Sequence, residues 1–158
     1  MPNLSDHLDC GENYSREDLC KIMQIKYVKN EIEVGIYKPR RHSSILFFST
    51  IENHPSYVGY PSYINQPKFI NGKISDTEFI FSANNQNLDP DITLHKITHK
   101  ELLLFVRKDD TTNFYYFGQC RYLRPHELPN YPFPLYCLEL LDTKFSNVRG
   151  VEIPDLSN

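Results

Sequence analysis

The sequence contains no tryptophan, and its four cysteines form no CxxC pair. They are widely spaced, at Cys10, Cys20, Cys120 and Cys137. This spacing is more typical of reduced thiols in a cytosolic protein than of a disulfide framework. Apolar runs such as Leu102 to Val106 fall far below the roughly 18 residues that cross a bilayer, and no charged-then-apolar leader opens the chain. We therefore expect a soluble, cytoplasmic protein with no membrane contact.

Several catalytic signatures are missing as well. The chain has no GxSxG elbow, no Walker loop and no GxGxxG motif, and no known signature surrounds its cysteines. These absences remove the usual markers of lipase-type, phosphoryl-transfer, hydride-transfer and cysteine-nucleophile enzymes. We therefore expect no catalytic residue and no cofactor in this chain.

Histidines offer one weak metal pattern. His95 and His99 would share a face if their segment were helical, and His126 or Cys120 could join them. The chain nevertheless has no closely spaced pairs of ligands such as structural zinc prefers. We interpret the segment as a basic turn before a strand and expect no metal.

Carboxylates offer a second weak metal pattern. Asp89-Pro90-Asp91 and Glu101 approximate the PD-(D/E)xK site of nucleases, but Leu103 stands where that pattern needs lysine. A metal-dependent nuclease or hydrolase is kept as an alternative. Its residues would be His95, His99, Asp89 and Asp91.

The composition is that of one ordinary globular domain, with 158 residues, 40% apolar and 23% charged. Its 11 tyrosines and 10 phenylalanines exceed what a small core requires, so we expect some of them to line a surface. The net charge of −3 argues against a purely electrostatic nucleic-acid binder. Residues 1–18 carry five acids and one arginine, and residues 139–158 carry four acids and two bases. The central body is therefore modestly basic.

Local patterns predict one short helix followed by six strands. Ser15 begins S-R-E-D, a capping-box start, and Leu19, Ile22 and Met23 follow at helical spacing. Short runs rich in aromatic and branched residues predict the strands. The predicted strand segments are residues 31–36, 44–50, 78–82, 101–107, 113–123 and 135–141. The predicted fold class is mostly β (α+β), as a curved antiparallel sheet or barrel with a short N-terminal helix.

We divide the chain into a flexible arm or linker over residues 1–14, a β-barrel domain over residues 15–145 and a tail over residues 146–158. Within the domain, residues 51–74 carry three prolines, two glycines and four aromatics. This loop is too polar for a core and too aromatic for an idle linker, which indicates a binding role.

Basic residues are interleaved with these aromatics. Lys38-Pro39-Arg40-Arg41-His42 joins two predicted strands. Further cations recur near strand ends, at Lys68, Lys73, Lys96, Lys100, Arg121 and Arg124. Cations bind phosphates, and an aromatic face that stacks on an unpaired base contributes about 1–3 kcal/mol. The pattern favours nucleic-acid binding, although cations also decorate the loops of ordinary soluble barrels.

Phrases spread over residues 14–141 resemble, in the same order, a domain of restriction proteins that attack modified DNA. They are Y-S-R-E-D-L at 14–19, G-I-Y-K-P at 35–39 with S-I-L-F-F at 44–48, E-F-I-F-S-A-N-N-Q at 78–86, L-L-L-F-V-R at 102–107 and F-Y-Y-F-G-Q-C-R-Y at 114–122. The chain resembles the C-terminal domain of unknown function of SauUSI-type phospholipase-D/helicase enzymes, which has relatives fused to McrA-type HNH nucleases.

The resemblance implies a module without activity of its own, because other domains of those enzymes carry out cleavage and translocation. It implies the target-recognition module of a type IV restriction enzyme in antiviral defence. Its partner would be duplex DNA that carries C5-methylated or hydroxymethylated cytosine. Nuclease and helicase domains would lie in the same or a partner chain. By analogy, its barrel would be similar to those of SRA, EVE and B3 readers.

A base-flipping reader needs stacking rings, amides that read the base edge and cations on the backbone. The base-binding candidates are Tyr60, Tyr63, Phe79, Phe81, Asn84, Asn85 and Gln86. The DNA-backbone candidates are Lys38, Arg40, Arg41, His42, Lys68, Lys73 and Arg121. Phe79 and Phe81 also alternate like core residues of a strand. A peptide-binding interaction module stays as a second alternative.

Overall fold

The computed structural model describes residues 3–25, 35–51, 71–82, 87–94, 99–109, 111–128 and 134–157. In these ranges most regular structure is strand. The strands are β1 Asn13–Tyr14, β2 Gly35–Tyr37, β3 Ser44–Thr50, β4 Gly72–Lys73, β5 Glu78–Phe81, β6 Glu101–Arg107, β7 Phe114–His126 and β8 Leu135–Leu140. The helices are α1 Arg16–Met23 and α2 Pro90–Thr93, with 3-10 turns at Leu4–His7 and Phe145–Asn147. The mostly β prediction is confirmed.

The strands form a mixed sheet in the order β2-β3-β6-β7-β8-β5-β4, and β1 pairs with the beginning of β7. β3 and β6 are parallel, with Ser44 opposite Glu101 and Thr50 opposite Arg107. The expectation of a wholly antiparallel sheet is therefore wrong. The outer strands β2 and β4 do not pair with each other in the described ranges, so the sheet is open there and the barrel stays a prediction.

The sheet is strongly curved. Phe47 on β3 and Phe81 on β5 are four places apart in the strand order, about 19 Å in a flat sheet. Their ring centroids are only 5.1 Å apart, so the sheet curls until these strands face each other. Two register shifts along β7, one at Gly118 and one near Leu123, supply bends of the kind that β-bulges produce.

Side chains on the two faces of the sheet pack into separate clusters. The inner cluster lies within the curl and includes Phe47, Phe81 and Tyr136. The outer cluster packs α1 onto the opposite face of β3, β6 and β7. The capping box that fixes the start of α1 is present: the Asp18 amide donates to Ser15 Oγ (3.1 Å), and the Ser15 amide donates to Asp18 Oδ2 (3.0 Å).

Both ends of the described chain pack onto this sheet. Leu4 is 1% exposed and belongs to the outer cluster, and the Ser5 amide donates to Glu101 Oε2. Val148 and Ile153 belong to the inner cluster. Residues 3–14 and 146–157, expected to be an arm and a tail, therefore form part of the packed domain. No helix in the described ranges is long and apolar enough to cross a bilayer.

Candidate nucleic-acid interface

A group of cations gathers where β3 and β6 begin. Parallel neighbours start at the same end of a sheet, and the Glu101 amide donates to the Ser43 carbonyl at 3.0 Å. The turn from Lys38 to Ser43 therefore lies beside His99 and Lys100. We call these two segments, residues 38–43 and 99–100, the basic end.

An open cleft of about 660 Å³ adjoins the basic end. Residues 23–25 at the end of α1 form one wall, and residues 37–42 form the other. Met23 and Pro39 are buried and Tyr37 is half-buried, while Arg40 and Arg41 are exposed. The cleft therefore places the half-buried Tyr37 ring beside two exposed cations.

Arg40 and Arg41 are the exposed arginines of the cleft. Neither forms an ion pair with any residue in the described ranges. A guanidinium carries a permanent charge and presents donors in a fork that matches phosphate. These two predicted backbone contacts therefore line the cleft as exposed cations.

Lys38 is engaged within the protein. Its Nζ lies 2.6 Å from Asp89 Oδ2 and 2.9 Å from Asp91 Oδ2. Desolvation alone would lower the pKa of Lys38, but its hydrogen bonds and charge interactions with both carboxylates together raise it. The Lys38 hydrogen bond lowers the pKa of Asp91. Lys38 is thus a cation neutralised by two carboxylates, although it lines the cleft.

His42 is a buried, neutral side chain. It is 8% exposed, and its Nδ1 has no hydrogen-bond partner in the described part of the chain. Burial lowers the pKa of His42, the charge of His7 lowers it further, and Glu101 opposes both. The expectation that His42 contacts phosphate as a cation therefore finds no support in this geometry.

The other predicted backbone contacts lie elsewhere. Arg121 donates Nε and Nη2 to the same oxygen of Glu139, each at 2.6 Å. Lys73 is on β4, the outer strand farthest from β2 in the strand order, where its backbone bonds to Pro154 and Leu156. Lys68 lies outside the described residues.

Of the seven predicted base-binding residues, two are buried in the core and five lie outside the described ranges. Phe79 and Phe81 are both 0% exposed and pack against Phe145 and Phe47. Their rings offer no surface to a base in this structure, so we assign both to the core. The remaining candidates lie outside the described residues; they are Tyr60, Tyr63, Asn84, Asn85 and Gln86.

The basic end and the cleft both fall within the match to a known family. A family model described as a domain of unknown function, DUF3427, matches residues 8–130. The chain belongs to the DUF3427 family. No curated protein matches it. In this DUF3427 domain the match covers α1 and every described strand from β1 to β7, while β8 lies beyond its end.

The DUF3427 domain places Lys100 beside residues 38–43, which carry Arg40 and Arg41 and which we call the arginine turn. The sequence alone did not predict this contact. An antiparallel sheet gives no reason to join residues 38–43 with residues 99–100. A signal was present, because both strands contain an unbroken apolar run, at residues 45–48 and 102–106. Such runs are typical of parallel strands covered on both faces.

The metal-dependent alternative and the cysteine thiols find little support in the described part of the chain. The described residues contain no group of three or more His, Cys, Asp or Glu side chains that could hold a metal ion. The Lys38 ammonium lies against Asp89 and Asp91, and His95 is outside the described residues. Burial raises the pKa of the Cys120 thiol well above its ordinary value, which makes that thiol a poor nucleophile or ligand.

Proposed function

We propose that this DUF3427 domain binds duplex DNA and reads C5-modified cytosine, methylated or hydroxymethylated. In this proposal it is the target-recognition module of a restriction enzyme and has no catalytic role. Nuclease and helicase domains of the same or a partner chain would cut and move along the DNA, as the sequence resemblance implies.

The pairing state of the cations at the cleft carries the proposal. Arg40 and Arg41 are exposed without an ion pair in the described ranges, whereas Lys38 and Arg121 are each held by carboxylates. Lys100 stands beside the turn on the neighbouring strand. Unpaired cations at one rim are what phosphate contacts need, because each neutralised phosphate releases counterions and adds affinity.

The cleft supports a role in holding a base next to those phosphates. A flipped nucleotide costs a few kcal/mol of lost stacking and pairing, which a pocket restores through ring contacts and edge hydrogen bonds. The half-buried Tyr37 ring lines the cleft and is the aromatic surface there that a base could contact. Tyr60, Tyr63 and the amides of Asn84, Asn85 and Gln86 stay candidates for reading the base on sequence grounds.

A gel-shift series tests the proposal. The full chain is titrated into matched duplexes with unmodified, methylated or hydroxymethylated cytosine, with and without magnesium. We expect a shift that favours a modified duplex and no cleavage. Cleavage would support the metal-dependent nuclease alternative, and the absence of a shift with every duplex would contradict the proposal and favour a peptide-binding module.

The arginines are tested by Arg40→Gln together with Arg41→Gln. Affinity for every duplex should fall, and the slope of log affinity against log salt should become shallower by up to about two, because two phosphate contacts are lost. Arg124→Gln is the matched control, since Arg124 pairs with Glu78 at 3.5 Å outside the cleft. An unchanged salt slope in the double variant would remove the turn from the interface.

A further inference from the structure

The sheet holds the chain on both sides of the arginine turn. The last residue of β2 that pairs with β3 is Tyr37, opposite Leu46, so the chain leaves the sheet at Lys38. It returns at Ser43, whose carbonyl accepts the Glu101 amide. Arg40 and Arg41 lie between these points and are exposed.

Ion pairs hold Lys38, the first residue of the arginine turn. Lys38 lies between the carboxylates of Asp89 and Asp91, at 2.6 Å and 2.9 Å. These acids belong to the α2 segment and are far from Lys38 in sequence; Asp91 is 53 residues away. We call this three-residue contact the Lys38 clamp. It joins the turn after β2 to the segment that follows β5.

The α2 segment is itself firmly held. The Asp89 amide donates to Tyr136 Oη at 2.7 Å, and Tyr136 is 1% exposed. Ile92 is completely buried in the inner cluster. Asp89 also caps α2, because its Oδ1 accepts the Asp91 amide at 2.9 Å. The Asp89 carboxylate is therefore held in place by its cap on α2, and Asp91 is held through its backbone, so the lysine ties the turn to a packed segment.

We propose that Lys38 is a positioning residue, which holds Arg40 and Arg41 at the cleft by binding Asp89 and Asp91 and does not itself contact DNA. This inference rests on the proposed DNA-binding function. A phosphate could bind Lys38 only after two short ion pairs are broken, whereas Arg40 and Arg41 have no ion pair with any described residue. The clamp lowers the number of conformations from which the turn must be ordered when DNA binds.

The decisive variant removes the clamp and also neutralises Asp89 and Asp91, so that no carboxylate is left without its lysine partner to repel DNA. Lys38→Met is combined with Asp89→Asn and Asp91→Asn, and asparagine keeps the ability to cap α2. This triple variant is one charge unit more positive than the natural chain, so electrostatics alone predicts tighter DNA binding. Positioning predicts the opposite: affinity for a short methylated duplex about three- to tenfold weaker, the range that loss of a surface ion pair or two would give.

Two companion measurements complete the experiment. Lys38→Arg, made as a single substitution, preserves the cation and should keep most of the affinity of the natural chain. A salt series on Lys38→Arg and on the triple variant should give the natural slope, because no phosphate contact is removed. A triple variant that binds as tightly as the natural chain, or more tightly, would overturn the proposal. A slope shallower by about one would also overturn it, since Lys38 would then be a phosphate ligand.

Hydrogen exchange separates this inference from the proposed function. Amides of the 40–43 turn should exchange faster in the triple variant than in the natural chain, without DNA, while amides of β6 and β7 stay unchanged. If the natural chain binds no duplex, the proposed function fails. The exchange rates of the turn, measured without DNA, still test whether the Lys38 clamp holds it. Equal exchange of the turn in both proteins would refute the clamp even if DNA binds.

Discussion

At the scale of single residues, surroundings decide what each cation near the cleft can do. Four of the predicted backbone contacts follow one another closely in sequence, yet their environments differ. Lys38 lies between two carboxylates, Arg40 and Arg41 are exposed, and His42 is buried. A basic run in a sequence therefore gives an upper limit on the cations available to a ligand, and ion pairs and burial reduce it.

His42 should make stability depend on pH. Burial lowers its pKa in the folded chain, and His7 and Glu101 are the charged groups that act on it from the neighbouring segments. The unfolded chain therefore binds a proton near pH 6.5 that the folded chain resists, so stability falls as pH drops through that value. Because the difference is at most one proton, the loss between pH 7.5 and pH 5.5 should not exceed about 1.4 kcal/mol, the equivalent of one pH unit below 6.5.

Urea unfolding of the natural chain and of His42→Leu at both pH values measures this effect. Leucine removes the buried nitrogen that has no partner in the described chain, so it should cost little at pH 7.5. The variant should lose less stability on acidification than the natural chain does. An equal loss in both proteins would show that His42 titrates normally.

At the scale of elements, the local sequence predicts strands well and their neighbours poorly. The segments 44–50 and 101–107 were predicted residue for residue, and Ser15 starts α1 through the capping box, because pattern and capping depend on nearby residues. The parallel pairing of β3 with β6 depends on residues far apart in sequence. The position of Lys100 beside the arginine turn and the ion pairs of Lys38 with Asp89 and Asp91 also depend on residues far apart in sequence. These long-range contacts set the chemistry of the candidate site.

The bend in β7 depends on Gly118, whose φ is +87°. A Cβ added there would lie 2.9 Å from Asp142 Oδ2, so Gly118→Ala combines backbone strain with a clash. We expect it to destabilise the fold by about 1–3 kcal/mol in chemical unfolding. Gly11→Ala is the matched control, because Gly11 has φ +91° and open space at its Cβ position. Equal costs at both sites would mean that Asp142 moves away freely.

At the scale of the whole molecule, the curl of the sheet makes one domain of distant segments. It brings the turn after β2 to the segment after β5, where the Lys38 clamp joins them. It also encloses the inner cluster, to which the residues after β8 contribute Phe145 and Val151. The order of strands in a flat sheet would separate the turn after β2 from the segment after β5, so the Lys38 clamp depends on the curl of the sheet.

A double-mutant cycle tests the curl directly. Phe47 and Phe81 meet edge to face with centroids 5.1 Å apart, so Phe47→Leu and Phe81→Leu should be coupled by about 0.5–1.5 kcal/mol in urea unfolding. Phe48 is the next residue on β3 but belongs to the outer cluster. Phe48→Leu and Phe81→Leu should therefore add within about 0.5 kcal/mol. If Phe47 were also additive with Phe81, β3 and β5 would not face each other, and the clamp would lose the geometry that brings its residues together.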